Sequence, residues 1–410
     1  MQKPFRILAL FDYNSFTGFA TVSKNLVQHW LNHYGDAMIL DIVAINYFGE
    51  NYSPKPNVRV ISGKQNDVAK DDFGRYVFLK SLMDIEYDLV FILQDLGVVV
   101  PMIKEMKKIR EKKIKENKKL FKSILYFPVD FDLTPNLVVD LEFFNTLATF
   151  TIWGKGIVVA RNKSVSDKLR VIPHGNNPKD FYKIDRAEAL EFRKSYFGKN
   201  ADKFIVGCVN RNQSRKDIPT TIFAFMEYKM VYNENAFLYL HMNPLDPMGW
   251  NLKTILSQTW MREGVDYMFP SEQDYKQGST VETLNKIYNC FDLFLSTTTG
   301  EGWGLSITEA MAVELPLVVP NHTSVKELTN DGSRAYVTRN HFPVVSMEDN
   351  IIRHQSDVYE IAETMAEVNK DMINNSTELV KKISAAKAFV DGLPWKTIAN
   401  SFIKEIDKLL

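Results

Sequence analysis

Two carboxylates eight positions apart, Glu301 and Glu309, bracket the stretch Gly302-Trp303-Gly304-Leu305-Ser306-Ile307-Thr308. Its composition suits a long ligand with an anionic centre. A strand ends near Ser296, residues 297–300 form a polar loop, and a glycine-containing turn opens a helix near Leu305. Gly302 and Gly304 permit tight turning and let a ligand approach the backbone closely. Amides at a helix N-terminus, with the positive end of the dipole, suit a diphosphate. Glu301 precedes the turn and Glu309 lies about one turn into the helix, so both can face one ligand at different points. Carboxylates accept hydrogen bonds from hydroxyl groups. A sugar at one end and a ribose at the other would use them.

A second constellation lies upstream, in Asn210-Arg211-Asn212-Gln213-Ser214-Arg215-Lys216-Asp217. Arg211 and Lys216, five positions apart, can bring two positive charges to one diphosphate, Arg as a planar fork and Lys as a point charge. Each motif alone is weak, since basic loops are commonly solvated surface. In this order, within one α/β domain, the two are specific.

The elements that must position these residues come in two sets. Apolar, β-rich runs at 6–11, 38–44, 58–61, 89–93, 123–127 and 149–152 alternate with helical patterns, the first helix spanning about 21–32. Strands separated by helices predict parallel, doubly wound α/β architecture, whose ligands bind outside the carboxyl ends of the strands. The pattern restarts at 204–209 and continues through 236–241, 292–296 and 317–320. Residues 171–178, punctuated by Pro173, Gly175 and Pro178, read as a connector. A last helix runs from about Trp395 to Leu410. With 410 residues, two domains are expected: 1–175 joined by 395–410, and 176–394.

The chain resembles the family 4 glycosyltransferases of the GT-B fold. The spacing from Glu301 to Glu309 is similar to their Glu-x7-Glu motif, residues 172–181 to their connector, 207–216 to their phosphate loop and 395 onward to their closing helix. Thr17-Gly18-Phe19-Ala20 resembles a reduced form of their N-terminal glycine loop. The resemblance implies an α/β GT-B architecture, two Rossmann-like doubly wound domains facing each other across a cleft. It implies transfer of a sugar from a nucleotide-diphosphate donor, UDP- or GDP-linked, with retention and no tightly bound metal or other cofactor. Arg211 and Lys216 would hold the diphosphate and stabilise the leaving group, and Glu301 would bind the transferred sugar. Asn210, Gly302, Trp303, Gly304, Leu305 and Ser306 would complete the donor site, with Glu309 on the ribose and Gly18 reaching in from the first domain. Two positions depart from the family pattern: Phe19 where many members have a second glycine, and Glu314 where a small residue precedes Pro316 by two.

Composition narrows the rest. Hydrophobic residues at 45% and charged residues at 24% describe an ordinary globular protein, and 50 basic residues balance 50 acidic ones. Cys208 and Cys290 are too few for a disulfide framework and read as buried thiols. No leader pattern opens the chain and no apolar run is long enough to span a bilayer, so a cytoplasmic protein is expected, with peripheral membrane contact open. The Asn-x-Ser/Thr triplets at Asn51, Asn162, Asn212 and Asn321 then read as chance. Residues 104–122 hold nine lysines and one arginine against three glutamates. They read as a solvated helix face or as a surface for an anionic acceptor, lipid or nucleic acid. The acceptor is expected to be a glycan, a lipid-linked precursor or a hydroxymethylated DNA base.

Asp130-Phe131-Asp132 spells a metal-binding triplet of other glycosyltransferases, but the donor motifs lie in the other half, and no metal site is expected. Asp12, Asp95, Asp130 and Asp132 follow first-half strands and are candidates for a general base in an inverting reaction. His174 is expected to make a hinge contact, His322 packing or a ligand contact, Trp303 packing or donor cover, and residues 267–271 the base contact. A nucleotide-sugar epimerase, a sugar phosphorylase and a non-catalytic nucleotide-sugar binder are the competing functions.

Overall fold

The computed structural model describes residues 4–15, 17–64, 71, 73–347 and 349–410. Met1, Gln2 and Lys3, part of the segment read for a leader, lie outside them. By packing, the chain divides into two compact units, Met1–Gly175 with Trp395–Leu410, and Asn176–Pro394.

The first unit contains β1 (Phe5–Asp12), α1 (Gly18–Tyr34), β2 (Met38–Ile45), β3 (Tyr52–Lys55), β4 (Val58–Ser62), α2 (Arg75–Asp84), β5 (Leu89–Leu93), α3 (Leu96–Lys115), β6 (Lys122–Phe127), β7 (Thr146–Thr149), α4 (Ile152–Arg161) and β8 (Leu169–Val171). Its sheet runs β3-β4-β2-β1-β5-β6-β7-β8, parallel throughout except for the β3–β4 edge. Strand order reverses between β1 and β5. The expected strand at 149–152 is displaced: the strand is β7, and Thr151 instead caps α4, its hydroxyl accepting from the Gly154 amide at 3.0 Å. A β-rich composition there is overridden by local capping, the usual competitor for Ser and Thr.

The second unit contains α5 (Arg186–Phe197), β9 (Phe204–Val209), α6 (Ile218–Val231), β10 (Ala236–His241), α7 (Leu252–Ser257), β11 (Tyr267–Met268), α8 (Glu272–Gln277), α9 (Val281–Tyr288), β12 (Leu293–Leu295), α10 (Leu305–Ala312), β13 (Leu317–Pro320), α11 (Thr323–Leu328), β14 (Tyr336–Thr338), β15 (His341–Val345), β16 (Ile352–Ser356), α12 (Val358–Ile373) and α13 (Thr377–Asp391). Its parallel sheet runs β11-β10-β9-β12-β13-β14, and β15–β16 form a separate antiparallel hairpin. The strands are buried on both faces. Val206 and Cys208 join one core cluster while Ile205 and Val209 join the other, as alternation along a covered strand requires. Order reverses between β9 and β12, so the loops after these two strands diverge and leave a crevice at the carboxyl edge.

The last helix, α14 (Trp395–Leu409), belongs to the first unit. Its apolar stripe Trp395, Ile398, Ala399, Phe402, Ile403 and Ile406 is buried. Phe402 meets Phe91 and Tyr126 edge-on at 5.2 and 4.8 Å, and the Tyr34 hydroxyl donates to Asp407 at 2.9 Å. Gly175 is required beside it, because an added Cβ would sit 2.5 Å from the Trp395 ring. His174 is buried in the same packing, 2.8 Å from the Tyr126 hydroxyl. Burial pushes its pKa down to about 3, so the ring is neutral and serves this packing.

Candidate functional site

Two loops at the β9/β12 reversal build the site. After β9 the chain makes a short 3-10 turn at Ser214–Lys216, and Asp217 adopts a left-handed conformation (φ +48°) before α6. Asn212 anchors this loop: its side-chain amide donates to the carbonyls of Trp250 at 2.7 Å and Asn243 at 3.3 Å, and its oxygen accepts from the Trp250 amide. After β12, three threonines stitch the second loop to the first. Thr297 donates to the Asp217 carbonyl at 2.9 Å. The Thr299 amide and hydroxyl reach the Arg215 carbonyl at 2.7 and 2.9 Å, and the Thr298 hydroxyl reaches it at 3.2 Å.

This stitching sets Glu301 against the basic turn. Its carboxylate accepts from the Lys216 ammonium and, at 3.1 Å, from the Arg215 guanidinium. Lys216 is 8% exposed and Glu301 4%. Burial alone would raise the Glu301 pKa, but Lys216 and then Arg215 outweigh it and hold the carboxyl at about 2. The backbone of Glu301 is fixed as well: its amide donates to the Thr323 hydroxyl at 3.2 Å, and its carbonyl accepts from Ser324 at 2.6 Å.

Helix α10 starts directly behind this pair. Gly304, at φ +103°, precedes it and no side chain caps it, so its positive end meets the crevice uncapped. Ser306 in its first turn lies 3.4 Å from Asn210. One turn further, Glu309 accepts from the Tyr288 hydroxyl at 2.7 Å. Burial raises the Glu309 pKa to about 7, with Asp180 adding to the rise and Tyr288 and Lys216 opposing it. One cation thus acts on both carboxylates.

The structure brings together Asn210, Lys216, Glu301, Gly302, Gly304, Leu305, Ser306 and Glu309. Arg211 is turned aside, its guanidinium forked onto Asp246 at 2.8 and 3.3 Å and half exposed. Trp303 is buried, 6.5 Å from the Phe389 ring. Gly18 is the first residue of α1 in the other unit. Arg215, Tyr288 and the threonine stitches were not singled out by sequence. Arg215 stood beside Lys216 as one more basic loop residue, and a tyrosine on α9 carries no local signal that it faces α10. His322 is buried with its ring 4.8 Å from His341 and 5.9 Å from His354 of the hairpin. Burial, then both neighbours, lower its pKa to about 3.

Other expectations fall elsewhere. Glu314 has φ +62° and pairs with Lys183 at 3.2 Å, so the family's small residue marks a left-handed turn after α10. Asp132 pairs with Arg161 at 2.9 Å at the surface. Among the described residues no group of three or more His, Cys, Asp or Glu is arranged to hold a metal ion. None of their helices is long and apolar enough to cross a membrane. In the lysine-rich segment, Lys107, Lys108, Lys112, Lys118 and Lys119 pair with carboxylates, and Lys113 is buried with its ammonium on the Ile85 carbonyl. Helix α3 is about 30 Å long at 1.5 Å per residue, and the segment runs from its middle through its C-terminus and the following loop to the first residue of β6.

Residues 274–367 match the family model described as "Glycosyl transferases group 1". The chain is 22% identical over 244 residues to alpha-monoglucosyldiacylglycerol synthase of Acholeplasma laidlawii, a match spanning 56% of each protein, so about half the length of that relative. Among solved structures, Anabaena Alr3699/HepE in complex with UDP and glucose superposes with a TM-score of 0.67 at 13% identity, covering 98% of this chain and 100% of that one. Sucrose-phosphate synthase from Thermosynechococcus elongatus superposes with a TM-score of 0.71 at 15% identity, covering 100% and 99%. The fold is GT-B, two Rossmann-like α/β units, and the family match covers the segment with both glutamates.

Proposed function

We propose that the protein is a glycosyltransferase that moves a sugar from a nucleotide-diphosphate donor to an acceptor hydroxyl, with the second unit as donor unit and the first as acceptor unit. The observation that carries this is the buried pairing of Lys216 with Glu301 at the β9/β12 reversal, in front of the uncapped start of α10. Diphosphate, transferred sugar and ribose each find a matching group there: Lys216 with the α10 amides, Glu301, and Glu309. The glycosyltransferase match over 274–367 and the relative that is a monoglucosyldiacylglycerol synthase support the same reading.

In the reaction the bond from the anomeric carbon to the diphosphate oxygen breaks, and a bond to the acceptor oxygen forms. The acceptor proton passes to the departing phosphate, which favours retention of configuration. Positive charge aimed at the leaving oxygens is the main contribution of the protein, and Lys216 supplies it with the α10 amides. Arg211 joins by exchanging Asp246 for phosphate. The cations take the part a resident metal has elsewhere. UDP is the favoured nucleotide, on the UDP named in the HepE complex, and GDP the next; residues 267–271 are where its base is expected. The acceptor is a glycan or lipid-linked precursor, encountered in the cytoplasm or at a membrane face.

The test is a thermal-shift panel of UDP, GDP, ADP, CDP and TDP. A ligand at about a hundred times its dissociation constant adds roughly 2.7 kcal/mol. One nucleotide is expected to stand out, followed by transfer from its sugar ester to diacylglycerol or oligosaccharide acceptors. A melting temperature indifferent to all five would remove the donor site from this reading.

A further inference from the structure

The resting site poses a problem that its geometry also resolves. Glu301 is almost fully buried, and the ammonium on it belongs to Lys216, the group needed at the donor diphosphate. If Lys216 turned to phosphate with nothing in its place, a buried carboxylate would lose its counter-charge, a costly state that it would relieve by taking up a proton. A neutral carboxyl accepts fewer hydroxyl hydrogen bonds than a carboxylate.

Arg215 is built to prevent this. Its guanidinium donates to the Glu301 carboxylate at 3.1 Å and to the Gly300 carbonyl at 3.0 Å. Its own carbonyl takes the Thr298 hydroxyl and both donors of Thr299. Its guanidinium is therefore held by the loop backbone as well as by the carboxylate, whereas the Lys216 ammonium meets the carboxylate and the Lys216 carbonyl takes the Thr297 hydroxyl at 3.4 Å. Arginine also stays charged at every working pH. Among the described residues His322 also faces Glu301, and burial keeps its ring neutral.

We infer that Arg215 is a positioning residue that keeps Glu301 oriented and ionised while Lys216 moves to the donor diphosphate. The inference rests on the proposed donor site and assigns Arg215 a role in sugar recognition and no contact with the nucleotide. Loss of Arg215 then costs the nucleoside diphosphate only what protonating Glu301 takes, and costs the sugar ester that and the hydroxyl bonds of the lost carboxylate, so that the preference for the ester is what disappears.

The experiment compares wild type, Arg215→Gln and Arg215→Lys by calorimetry between pH 5 and 8. The probes are the nucleoside diphosphate selected by the panel above and its glucosyl, galactosyl and mannosyl esters. In Arg215→Gln the diphosphate should weaken less than its esters, so that the ratio of ester to diphosphate affinity falls. The tightest ester should lose at least tenfold at pH 5 and less at pH 8. Arg215→Lys should recover most of the loss, since a cation returns without the fork. Equal losses for diphosphate and ester would make Arg215 a phosphate ligand or a fold residue and overturn the inference. So would an ester affinity that ignores the substitution at both pH values. A wild type that binds none of the probes would instead sink the donor site itself.

Discussion

The turn after β1 and the turn after β9 occupy the same place in their sheets, and they are finished in opposite ways. After β1 the described polar side chains bond one another. The Thr17 hydroxyl caps α1 by accepting from the Ala20 amide at 3.2 Å and donates to Asp12, and Asp12 also accepts from the Asn46 amide at 3.2 Å. After β9 neither α6 nor the neighbouring α10 has a side-chain cap, and the local carboxylate is balanced by two cations. A capped helix start has its first amides met by the chain itself. An uncapped helix start beside positive charge is suited to an anion that is not part of the chain. The same fold element thus serves as structure in one unit and as candidate site in the other.

The largest test of that contrast is Lys216→Ala, which should abolish the nucleotide-induced thermal shift and lower turnover by about 100- to 1,000-fold, the scale of losing one group that stabilises a developing charge. Retained nucleotide binding in this variant would erase the distinction between the two turns. Next comes a pair of denaturation curves. Glu301→Gln removes the partner of a buried ammonium and should cost about 3–5 kcal/mol, while Asp12→Asn, at a carboxylate that takes hydrogen bonds from Thr17 and Asn46, should cost about 1 kcal/mol. Similar losses would mean that the charge balance at β9 is not what separates the regions.

The two site carboxylates also predict opposite pH behaviour. Glu301, held at about 2 in the folded chain against an ordinary 4.5, contributes stability that is present above pH 4.5 and lost as the pH falls toward 2. Glu309, raised to about 7, favours the folded state while protonated, and that contribution declines as the pH rises from 4.5 through 7. If ribose is held by the ionised form, nucleotide affinity climbs through the same upper range and the climb disappears in Glu309→Gln. Titration calorimetry from pH 5.5 to 8.5 reads it directly; a wild-type profile as flat as the variant's would free Glu309 of the ribose role. The smallest effect belongs to a turn outside the site. Glu314→Gly removes a side chain from a left-handed residue and should stabilise by up to about 1 kcal/mol, less whatever its exposed pair with Lys183 contributes.

Much of the α/β alternation is visible in the chain, because strands buried on both faces write themselves as apolar runs: residues 204–209 and 236–241 are β9 and β10 to the residue. Short or atypical strands escaped. β8 and β14 are three residues each, and β15–β16 carry Pro343, Arg353 and two histidines that mask any periodicity. In the site, Glu301, Glu309 and Lys216 were recognisable by type and spacing. Arg215 and Tyr288 were not, because what distinguishes them is a partner more than 80 positions away in one case and on another helix in the other.

By itself, then, the sequence determined which residues could bind a diphosphate and hydroxyls, since side-chain chemistry and helix-start grammar are local properties. Only the tertiary structure decided which cation meets which carboxylate. Strand order reverses between β9 and β12, and that long-range pairing turns Arg215 and Lys216 toward Glu301 and leaves Arg211 to Asp246.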